Sequence, residues 1–241
     1  MLLPLLRQYA ADLFGLELSE QQIEQFTIYA HQMLDWNATK ANLTAITDLH
    51  MVEIRHFLDS LSLLLLDIPL GARVIDVGSG AGLPGIALQI ARPDLRVSLL
   101  ESVGKKTTFL KHIVSHLGYS TEVIHGRAEE IGQNVHFRAR FDMAVARSVA
   151  YLPSLVEYLL PLCKVGGVAV AMKGANPEQE ISEATEAIHH LGGKLQQVLT
   201  IELPEVAQSH TLIVIEKIKN TPKMYPRRPG IPTKHPISSS A

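Results

Sequence analysis

Residues 73–85, RVIDVGSGAGLPG, constrain the fold more than any other part of this sequence. A short run of β-branched and apolar residues ends abruptly in glycines at positions 78, 80, 82 and 85. This pattern predicts a buried strand, a tight loop and a helix that starts near Pro84. Glycine can adopt positive φ angles and leaves the backbone open to a ligand, and the N–H groups of a helix start favour a polar or anionic group.

A second apolar run, at 95–100, ends in Glu101 about twenty residues after the glycine loop. An acidic side chain at the end of that strand can accept hydrogen bonds from both hydroxyls of a ribose. The glycine loop and the acidic strand end together predict a nucleoside cofactor. They leave open whether the cofactor is a dinucleotide or S-adenosylmethionine (SAM).

The dinucleotide interpretation depends on Gly80, Gly82 and Gly85, which match the fingerprint G-x-G-x-x-G. Other features favour SAM. Asp76 lies inside the first strand, where its carboxylate would repel a pyrophosphate, and the glycines begin at Gly78, directly after the strand. A third predicted strand is followed by Glu129 and Glu130, which suit the edge of an adenine. We therefore expect SAM rather than NAD.

From residue 73 onward, predicted strands and helices alternate, which is typical of right-handed βαβ units and a parallel sheet covered on both faces. The last two strands, at 194–203 and 210–218, have no helix between them and should pair as a hairpin. The predicted fold class is α/β: a Rossmann-like class I SAM methyltransferase with a mostly parallel sheet that ends in an antiparallel β-hairpin, and with an N-terminal helical layer. The predicted strands lie near 73–77, 96–101, 121–125, 141–146 and 167–172, and the helices near 84–91, 104–117, 127–132, 152–163 and 177–191.

The N-terminal layer, residues 1–70, is predicted to be helical. Ser19 and Gln22 form a capping box before an apolar series at helical spacing. A second helical pattern at 51–66 carries Arg55, His56 and Asp59 on adjoining turns. A helix-surface ion pair is the default interpretation of these three residues; the alternative is that the layer packs over the mouth of the cofactor site.

The remaining divisions are a methyltransferase domain at 71–219 and a basic, Pro-rich tail at 220–241. Residues 1–216 carry 16 Lys and Arg against 24 Asp and Glu, whereas residues 217–241 carry six Lys and Arg and no Asp or Glu. A basic tail on an acidic body suggests a polyanionic partner. We expect Lys223, Arg227, Arg228 and Lys234 to contact phosphate, and tail removal to leave SAM binding unchanged.

The bulk composition adds exclusions. The single cysteine, Cys163, excludes a disulfide framework and fits a reducing cytosol. No apolar run approaches membrane-spanning length, so we expect no membrane partner. We also expect the protein to be cytoplasmic and monomeric. His112 and His116 lie four residues apart, but no third ligand of suitable spacing is nearby, and no metal site is expected.

In open α/β sheets the ligand lies at the carboxyl ends of the strands. The cofactor-binding candidates are therefore residues at or after strand ends: Gly78, Ser79, Gly80, Gly82, Glu101, Ala128, Glu129 and Arg147. The catalytic candidates are Arg147 and Lys173, which follow the fourth and fifth strands. Each of these two is either a ligand contact or a salt bridge at a strand end.

The type of methyl acceptor follows partly by elimination. Carbon-5 of a pyrimidine needs a cysteine nucleophile, but Cys163 lies before the fifth strand, at the opposite edge of the sheet. Exocyclic amines usually meet an (N/D)-P-P-(Y/F) motif after the fourth strand, and here that place is Ala-Arg-Ser-Val at 146–149. Acceptors that already carry a lone pair, such as guanine N7, remain. Arg147 suits guanine O6 or a phosphate.

Several motifs together resemble the bacterial RsmG (GidB) family. They comprise Trp-Asn at 36–37, Asn-Leu-Thr-Ala-Ile at 42–46, Arg-His-Phe-Leu-Asp-Ser at 55–60, the glycine loop through Gly-Leu-Pro-Gly, Gly-Lys-Lys at 104–106, Arg-Ala-Glu at 127–129, Ala-Arg-Ser at 146–148 and Met-Lys-Gly at 172–174. The resemblance implies methylation of a guanine N7 in 16S rRNA of the small ribosomal subunit, near the decoding centre. It also implies SAM contacts at Gly78, Leu83, Ala128, Glu129 and Arg147.

Two rival functions stay open at this point. A small-molecule N- or O-methyltransferase would not need the basic tail. An RNA-binding module that senses SAM would bind the cofactor without transferring its methyl group. Transfer of labelled methyl to RNA separates all three.

Overall fold

The structure is a computed structural model that describes residues 3–237. Its centre is a seven-stranded sheet in the order β3-β2-β1-β4-β5-β7-β6. The first five strands are parallel, and β7 pairs antiparallel with both β5 and β6. This arrangement confirms the predicted mostly parallel sheet and its antiparallel hairpin. The strands are β1 (Arg73–Val77), β2 (Arg96–Glu101), β3 (Glu122–His125), β4 (Phe141–Arg147), β5 (Cys163–Lys173), β6 (Gly193–Ile201) and β7 (His210–Lys217).

The direction of β7 matters for the site. Because β7 runs antiparallel to β5, its first residues lie beside the last residues of β5, with Thr211 opposite Lys173. His210 is therefore at the carboxyl edge of the parallel strands, where ligands of open α/β sheets bind. The hairpin thus contributes to the same edge as the glycine loop.

Helices cover both faces of the sheet. They are α1 (Pro4–Phe14), α2 (Glu20–Thr39), α3 (Leu49–Val52), α4 (Asp59–Leu61), α5 (Gly85–Ala91), α6 (Gly104–His116), α7 (Ala128–Ile131), α8 (Leu152–Leu159), α9 (Glu178–His190) and α10 (Ile231–Lys234). Helix α8 ends four residues before the predicted end, and β5 begins at Cys163 instead of 167. The reason is a register irregularity: Cys163 pairs with Phe141 before regular pairing resumes at Val168.

The predicted capping box of α2 is confirmed. The Ser19 hydroxyl accepts a hydrogen bond from Gln22 N–H, and the Gln22 side chain accepts one from Ser19 N–H. Gln22 also donates to the backbone oxygens of Ile90 and Ala91 at the end of α5. The cap therefore both starts α2 and docks the N-terminal layer on the sheet domain.

The second predicted N-terminal helix is a continuous but irregular segment at 49–65. Between α3 and α4 the chain forms a π-helical stretch, Glu53–Leu58, and a 3₁₀ turn, Ser62–Leu65, follows α4. A π-helix is closed by i→i+5 hydrogen bonds, and such stretches are frequent at functional sites. Its wider turn changes which side chains share a face, so the regular 3.6-residue pattern does not apply here.

Alternate residues of the strands pack into separate apolar cores on the two faces. The face with Val74, Val97 and Val145 contacts the N-terminal helices, α5 and α6. The opposite face, with Ile75 and Ala144, contacts α8 and α9. Alternation of side chains along each strand explains this division, and it leaves the carboxyl edge of the sheet between the two layers.

The tail segment from Thr221 to the end of the described chain packs against the body. Arg138 donates hydrogen bonds to four carbonyl oxygens, one in Gly132 and the others in Thr221, Pro222 and Tyr225. Tyr225 is buried in the apolar core formed with α8 and α9. These contacts fix the course of the tail along α7 and α8.

Arg227 corrects one expectation about the tail. Its guanidinium lies 2.7 Å from Glu157, whose side chain is fully buried on α8. Arg227 therefore neutralises a buried carboxylate and is not free to hold phosphate. Lys223, Arg228 and Lys234 are exposed.

No helix within residues 3–237 is long and apolar enough to cross a membrane.

Candidate functional site

The glycine loop after β1 is held by backbone contacts and by Glu101. Gly78 and Gly80 have φ angles of 74° and 59°, values that glycine adopts without strain. One Glu101 oxygen accepts from Gly80 N–H at 2.9 Å, and the other accepts from Val103 N–H at 2.8 Å. A carboxylate offers about four acceptor positions. Glu101 thus braces the loop and retains acceptor capacity for a ligand.

Gly82 serves close packing. A Cβ there would meet Ile86 Cδ1 at 2.4 Å and the Tyr29 hydroxyl at 2.9 Å. The same Tyr29 hydroxyl donates to Ala81 O at 2.7 Å. Because Tyr29 belongs to α2, this contact ties the glycine loop to the N-terminal layer. Gly82 lines none of the cavities described below.

Asp76 lies beneath the loop and does not face a ligand. It is fully buried, and its Oδ2 accepts from Gly85 N–H at 2.9 Å at the start of α5. Its Oδ1 is the single buried side-chain oxygen or nitrogen without a partner in the described chain. Burial raises the pKa of Asp76 to about 7. The Asp76 carboxyl group thus supports the start of α5, and its repulsion of a pyrophosphate stays a prediction.

Two cavities flank the glycine loop. The Tyr158 cavity, of about 320 Å³, is bounded by Gly78, the 126–129 turn, the 149–151 segment, Tyr158 and Thr233. The glycine-loop cavity, of about 160 Å³, is bounded by the 78–81 backbone and Leu83 on one side. Its other walls are Leu43, Thr44, His56, Lys106, Arg147 and Ser148. Gly78 is common to both cavities.

A third space, the Lys173 cavity, adjoins them. It encloses about 360 Å³, and its walls include Arg55, Asp59, Lys173 and His210. It shares His56, Arg147 and Ser148 with the glycine-loop cavity. The three cavities are therefore neighbours along the carboxyl edge of the sheet, and Arg147 lines both the glycine-loop cavity and the Lys173 cavity.

Asp59 organises the wall of the Lys173 cavity. Its Oδ2 accepts from Arg147 at 2.9 Å, and its Oδ1 accepts from His210 Nδ1 at 2.7 Å. Burial opposes ionisation of Asp59, but the hydrogen bond from His210 and the charge of Arg147 outweigh it and lower its pKa. Asp59 does not pair with Arg55, whose backbone oxygen accepts from Arg147 at 3.1 Å. The default expectation of a helix-surface ion pair is wrong, and the helical layer packs over the site.

His56 is a neutral group at the junction of two cavities. Its Nε2 lies 2.7 Å from the Thr44 hydroxyl, and its Nδ1 lies 3.1 Å from Arg55 O. Burial, with the charge of Arg147, lowers the pKa of His56 to about 4. Both ring nitrogens are engaged, so His56 positions the wall and has little capacity as a base near neutral pH.

Lys173 forms a salt bridge, which is one of its two predicted roles, and the ligand contact stays a prediction. It lines the Lys173 cavity, and its ammonium group lies 2.5 Å from Glu180 and donates to Ala150 O at 2.7 Å.

Cys163 is buried at the opposite end of β5, where burial raises the pKa of its thiol to about 12. A thiol in that state and place is not a nucleophile for this site.

The structure brings most of the predicted residues together. Gly78, Ala128 and Glu129 line the Tyr158 cavity, whereas Gly78, Ser79, Gly80, Leu83 and Arg147 line the glycine-loop cavity. Glu101 accepts a hydrogen bond from the loop at Gly80 N–H but is not among the residues that line the three cavities. Within residues 3–237, no three His, Cys, Asp or Glu side chains are grouped to hold a metal ion.

Sequence reasoning missed His210, Tyr29 and Thr233. The position of His210 had a usable signal, because the first residue of an antiparallel last strand must lie at the ligand edge. The Tyr29 contact with Ala81 could not be predicted, because the helical pattern of α2 indicates only that Tyr29 is buried and not what its hydroxyl contacts. Thr233 lies in the tail, and composition alone gives no indication that it lines a cavity.

The glycine loop leaves room for a ligand such as SAM. A Cβ on Gly80 would meet nothing closer than Gly78 O at 3.8 Å, so the loop backbone faces open space. Glu101 can accept from a ribose, and acidic side chains suit the cationic donor. The fold and this edge define a class I SAM-dependent methyltransferase. A Bacillus halodurans structure described as a methyltransferase has the same fold: TM-score 0.53, 14% identity, covering 67% of this chain and 99% of that chain.

The family follows from sequence comparison. The model of the family described as rRNA small subunit methyltransferase G matches residues 22–211. Proteins with that name from Lactobacillus johnsonii and Roseiflexus castenholzii are 44% and 47% identical to this chain. Each alignment covers 93% of this chain and 95% of the relative. The chain belongs to the rRNA small subunit methyltransferase G family.

Proposed function

We propose that this protein transfers a methyl group from SAM to N7 of a guanine in 16S rRNA of the small ribosomal subunit, near the decoding centre. The observation that carries the proposal is the pair of neighbouring cavities that share Arg147 as a wall residue, the glycine-loop cavity and the Lys173 cavity. The names of the family and of its members support an rRNA substrate. The guanine would occupy the Lys173 cavity.

The proposed cofactor site comprises the Tyr158 and glycine-loop cavities. Glu101 would accept from the ribose hydroxyls, and the backbone of Gly78, Ser79 and Gly80 would contact the cofactor directly. Leu83, Ala128, Glu129 and Arg147 would complete the walls. Gly82 would act indirectly, since it permits the close contact of the loop with Tyr29. The proposed division is a helical layer at 1–70, a methyltransferase domain at 71–219 and a basic tail at 220–241.

SAM, when bound, supplies an electrophilic methyl group on a sulfonium. Guanine N7 carries a free lone pair, so no proton has to leave before the methyl group is accepted. The work of the protein is then to orient the base, and proximity and orientation alone can lower a barrier substantially. Arg147 and Lys173 would hold guanine O6 or a neighbouring phosphate with charged hydrogen bonds.

The protonation states of Asp59 and His56 support an acceptor that does not have to lose a proton. Both Asp59 oxygens are engaged, and the pKa of Asp59 is lowered. The pKa of His56 is about 4, which makes it a weak base. Neither residue is poised to take a proton at neutral pH, and N7 methylation requires none.

The test uses labelled SAM and small-subunit rRNA in which guanine has been replaced by 7-deazaguanine. We expect transfer to ordinary RNA, a product that co-elutes with 7-methylguanosine after digestion, and no transfer to the 7-deaza RNA. Methylation of the 7-deaza RNA would refute N7 as the acceptor. Label in small molecules alone would favour the small-molecule methyltransferase, and no label anywhere would favour a SAM-sensing module.

One observation favours a second candidate. His210 lines the Lys173 cavity and is held by Asp59 through Nδ1, an arrangement that resembles an oriented general base. A base would suit an acceptor that must lose a proton, such as a hydroxyl group. The product of such a reaction would be an O-methylated nucleoside.

A His210→Gln substitution separates the two. Gln retains hydrogen-bonding groups but cannot take a proton near neutral pH. For N7 transfer we expect methylation to stay within about fivefold of wild type, because only orientation is disturbed. General acid–base catalysis is worth roughly 100-fold or more, so a loss of that size, with the pH dependence of the rate abolished, would support the base. His50→Gln is the matched control, because His50 is exposed and is not among the residues that line these cavities.

The cytosolic location and the monomeric state expected from the sequence stay predictions.

A further inference from the structure

The C-terminal tail reaches the Tyr158 cavity. Thr233, on α10, lines this cavity together with Tyr158, Ala128 and Glu129. The Thr233 hydroxyl lies 2.9 Å from the Tyr158 hydroxyl. A segment that the sequence presents as a basic appendage therefore supplies one wall of a cavity beside the glycine loop.

Residues 230–233 form hydrogen bonds with buried polar side chains. Gly230 N–H donates to Glu129 Oε1 at 3.0 Å, and only 5% of Glu129 is exposed. Pro232 O accepts from the Ser154 hydroxyl at 2.9 Å, and Ser154 is 1% exposed. The tail thus satisfies polar groups on α7 and α8, the helices on either side of the cavity. Buried polar groups that lose their partners are costly.

The course of the tail toward the cavity is fixed well before Gly230. The Arg227–Glu157 ion pair and three hydrogen bonds from Arg138 to tail carbonyl oxygens hold the preceding residues. Pro226 also lies close to Gly132, where an added Cβ would meet its Cγ at 2.6 Å. This close approach requires a glycine at the end of α7. Residues 230–233 are therefore presented by an anchored segment.

We propose that residues 230–233 form a strap that closes the cofactor cavity and strengthens SAM binding by holding Glu129 and Tyr158 in place. The inference rests on the proposed cofactor site. It assigns to the tail a role in binding a small molecule, in place of the phosphate contact expected from its charge. A wall that is already assembled lowers the ordering cost of binding.

The charge distribution agrees with this assignment. Arg227 is engaged by Glu157, and the contacts at the cavity come from a backbone N–H, a backbone carbonyl and a hydroxyl. None of these requires a polyanion. We therefore expect tail removal to weaken SAM binding, whereas the sequence predicted no change in SAM affinity.

The experiment compares two truncations by SAM calorimetry. Truncation after Pro229 removes the strap but keeps the Arg227–Glu157 pair and the contacts of Arg138. Truncation after Lys234 removes the following residues and leaves the strap contacts in place. We expect the first to weaken SAM binding by at least about tenfold and the second to change it by less than about twofold.

Point variants cover the case in which the shorter chain does not fold. Thr233→Ala removes the hydroxyl beside Tyr158, whereas Lys234→Ala changes the exposed neighbour on the same helix. We expect SAM binding to weaken about threefold in the first and to remain unchanged in the second. Wild-type affinity after truncation at Pro229 would overturn the strap. Where the truncated chain is unfolded, wild-type affinity in Thr233→Ala would overturn it.

Glu101→Ala distinguishes failure of the strap from failure of the proposed site. If Glu101→Ala weakens SAM binding about tenfold while the truncation does not, the strap is wrong and the site stands. If Glu101→Ala leaves the affinity unchanged, the proposed placement of the cofactor is wrong. A salt titration on the same RNA completes the test: a smaller salt slope with unchanged SAM affinity would overturn the strap in favour of phosphate binding.

Discussion

Substitution of Asp59 by Ala is expected to destabilise the protein by about 3–5 kcal/mol, because it removes the shared partner of two groups in a buried network. The Asp59 side chain is 4% exposed and accepts from both Arg147 and His210. Without it, the Arg147 guanidinium, itself only 16% exposed, lacks its counter-charge. For a chain of this size the loss corresponds to a fall in melting temperature of about 10 °C. Thermal unfolding without ligands measures it.

The matched control is Asp67→Ala, an exposed aspartate a few residues farther along the chain. Its melting temperature should stay within about 1–2 °C of wild type, since substitutions at such positions usually have small effects. The Asp59 contribution should also depend on pH. Because its folded pKa is lowered, the stabilisation is present above the ordinary Asp pKa and is lost as the pH falls through the folded value. Equal melting temperatures for wild type and Asp59→Ala would contradict the network.

Substitution of Arg147 by Ala is expected to reduce methyl transfer by at least about tenfold, the loss of one charged hydrogen bond. The position of Arg147 adds to this expectation, because it lines both the glycine-loop cavity and the Lys173 cavity. Its removal would disturb the orientation of the acceptor relative to the donor. Single-turnover transfer from labelled SAM to rRNA measures the rate.

Two further variants define the role of Arg147. Arg147→Lys keeps the charge but loses the planar fork that suits guanine or phosphate, so it should recover only part of the activity. Arg140→Ala, at an exposed position before the start of β4, should behave as wild type. Calorimetry with SAM then separates cofactor binding from positioning of the acceptor. Wild-type transfer by Arg147→Ala would leave Arg147 as a structural partner of Asp59.

Much of the fold followed from periodicity and glycine placement. The βαβ alternation predicted the five parallel strands, and the missing helix after residue 203 predicted the hairpin. These patterns are local, because side-chain burial on one or two faces of an element is written into consecutive residues. The boundary of α8 was wrong, since the irregular pairing of Cys163 with Phe141 depends on a neighbouring strand.

The site was only partly accessible in the same way. The glycine loop and Glu101 could be predicted because a tight turn and a strand end have residue signatures. The partners of Asp59 could not, since Arg147 and His210 are 88 and 151 residues away in the sequence. The helical pattern suggested a surface ion pair among Arg55, His56 and Asp59. The chain instead forms a π-helical stretch at Glu53–Leu58, which departs from the regular turn.

The sequence by itself determined the class of fold, the glycine loop and the family resemblance that the comparison with relatives confirmed. The tertiary structure decided which charges meet. Asp59 pairs with Arg147 and His210 instead of Arg55, Arg227 neutralises buried Glu157, and the tail reaches Tyr158. The physical reason is that backbone conformation depends on neighbouring residues, whereas ion pairs and cavity walls depend on which distant segments the packing of two apolar cores brings together.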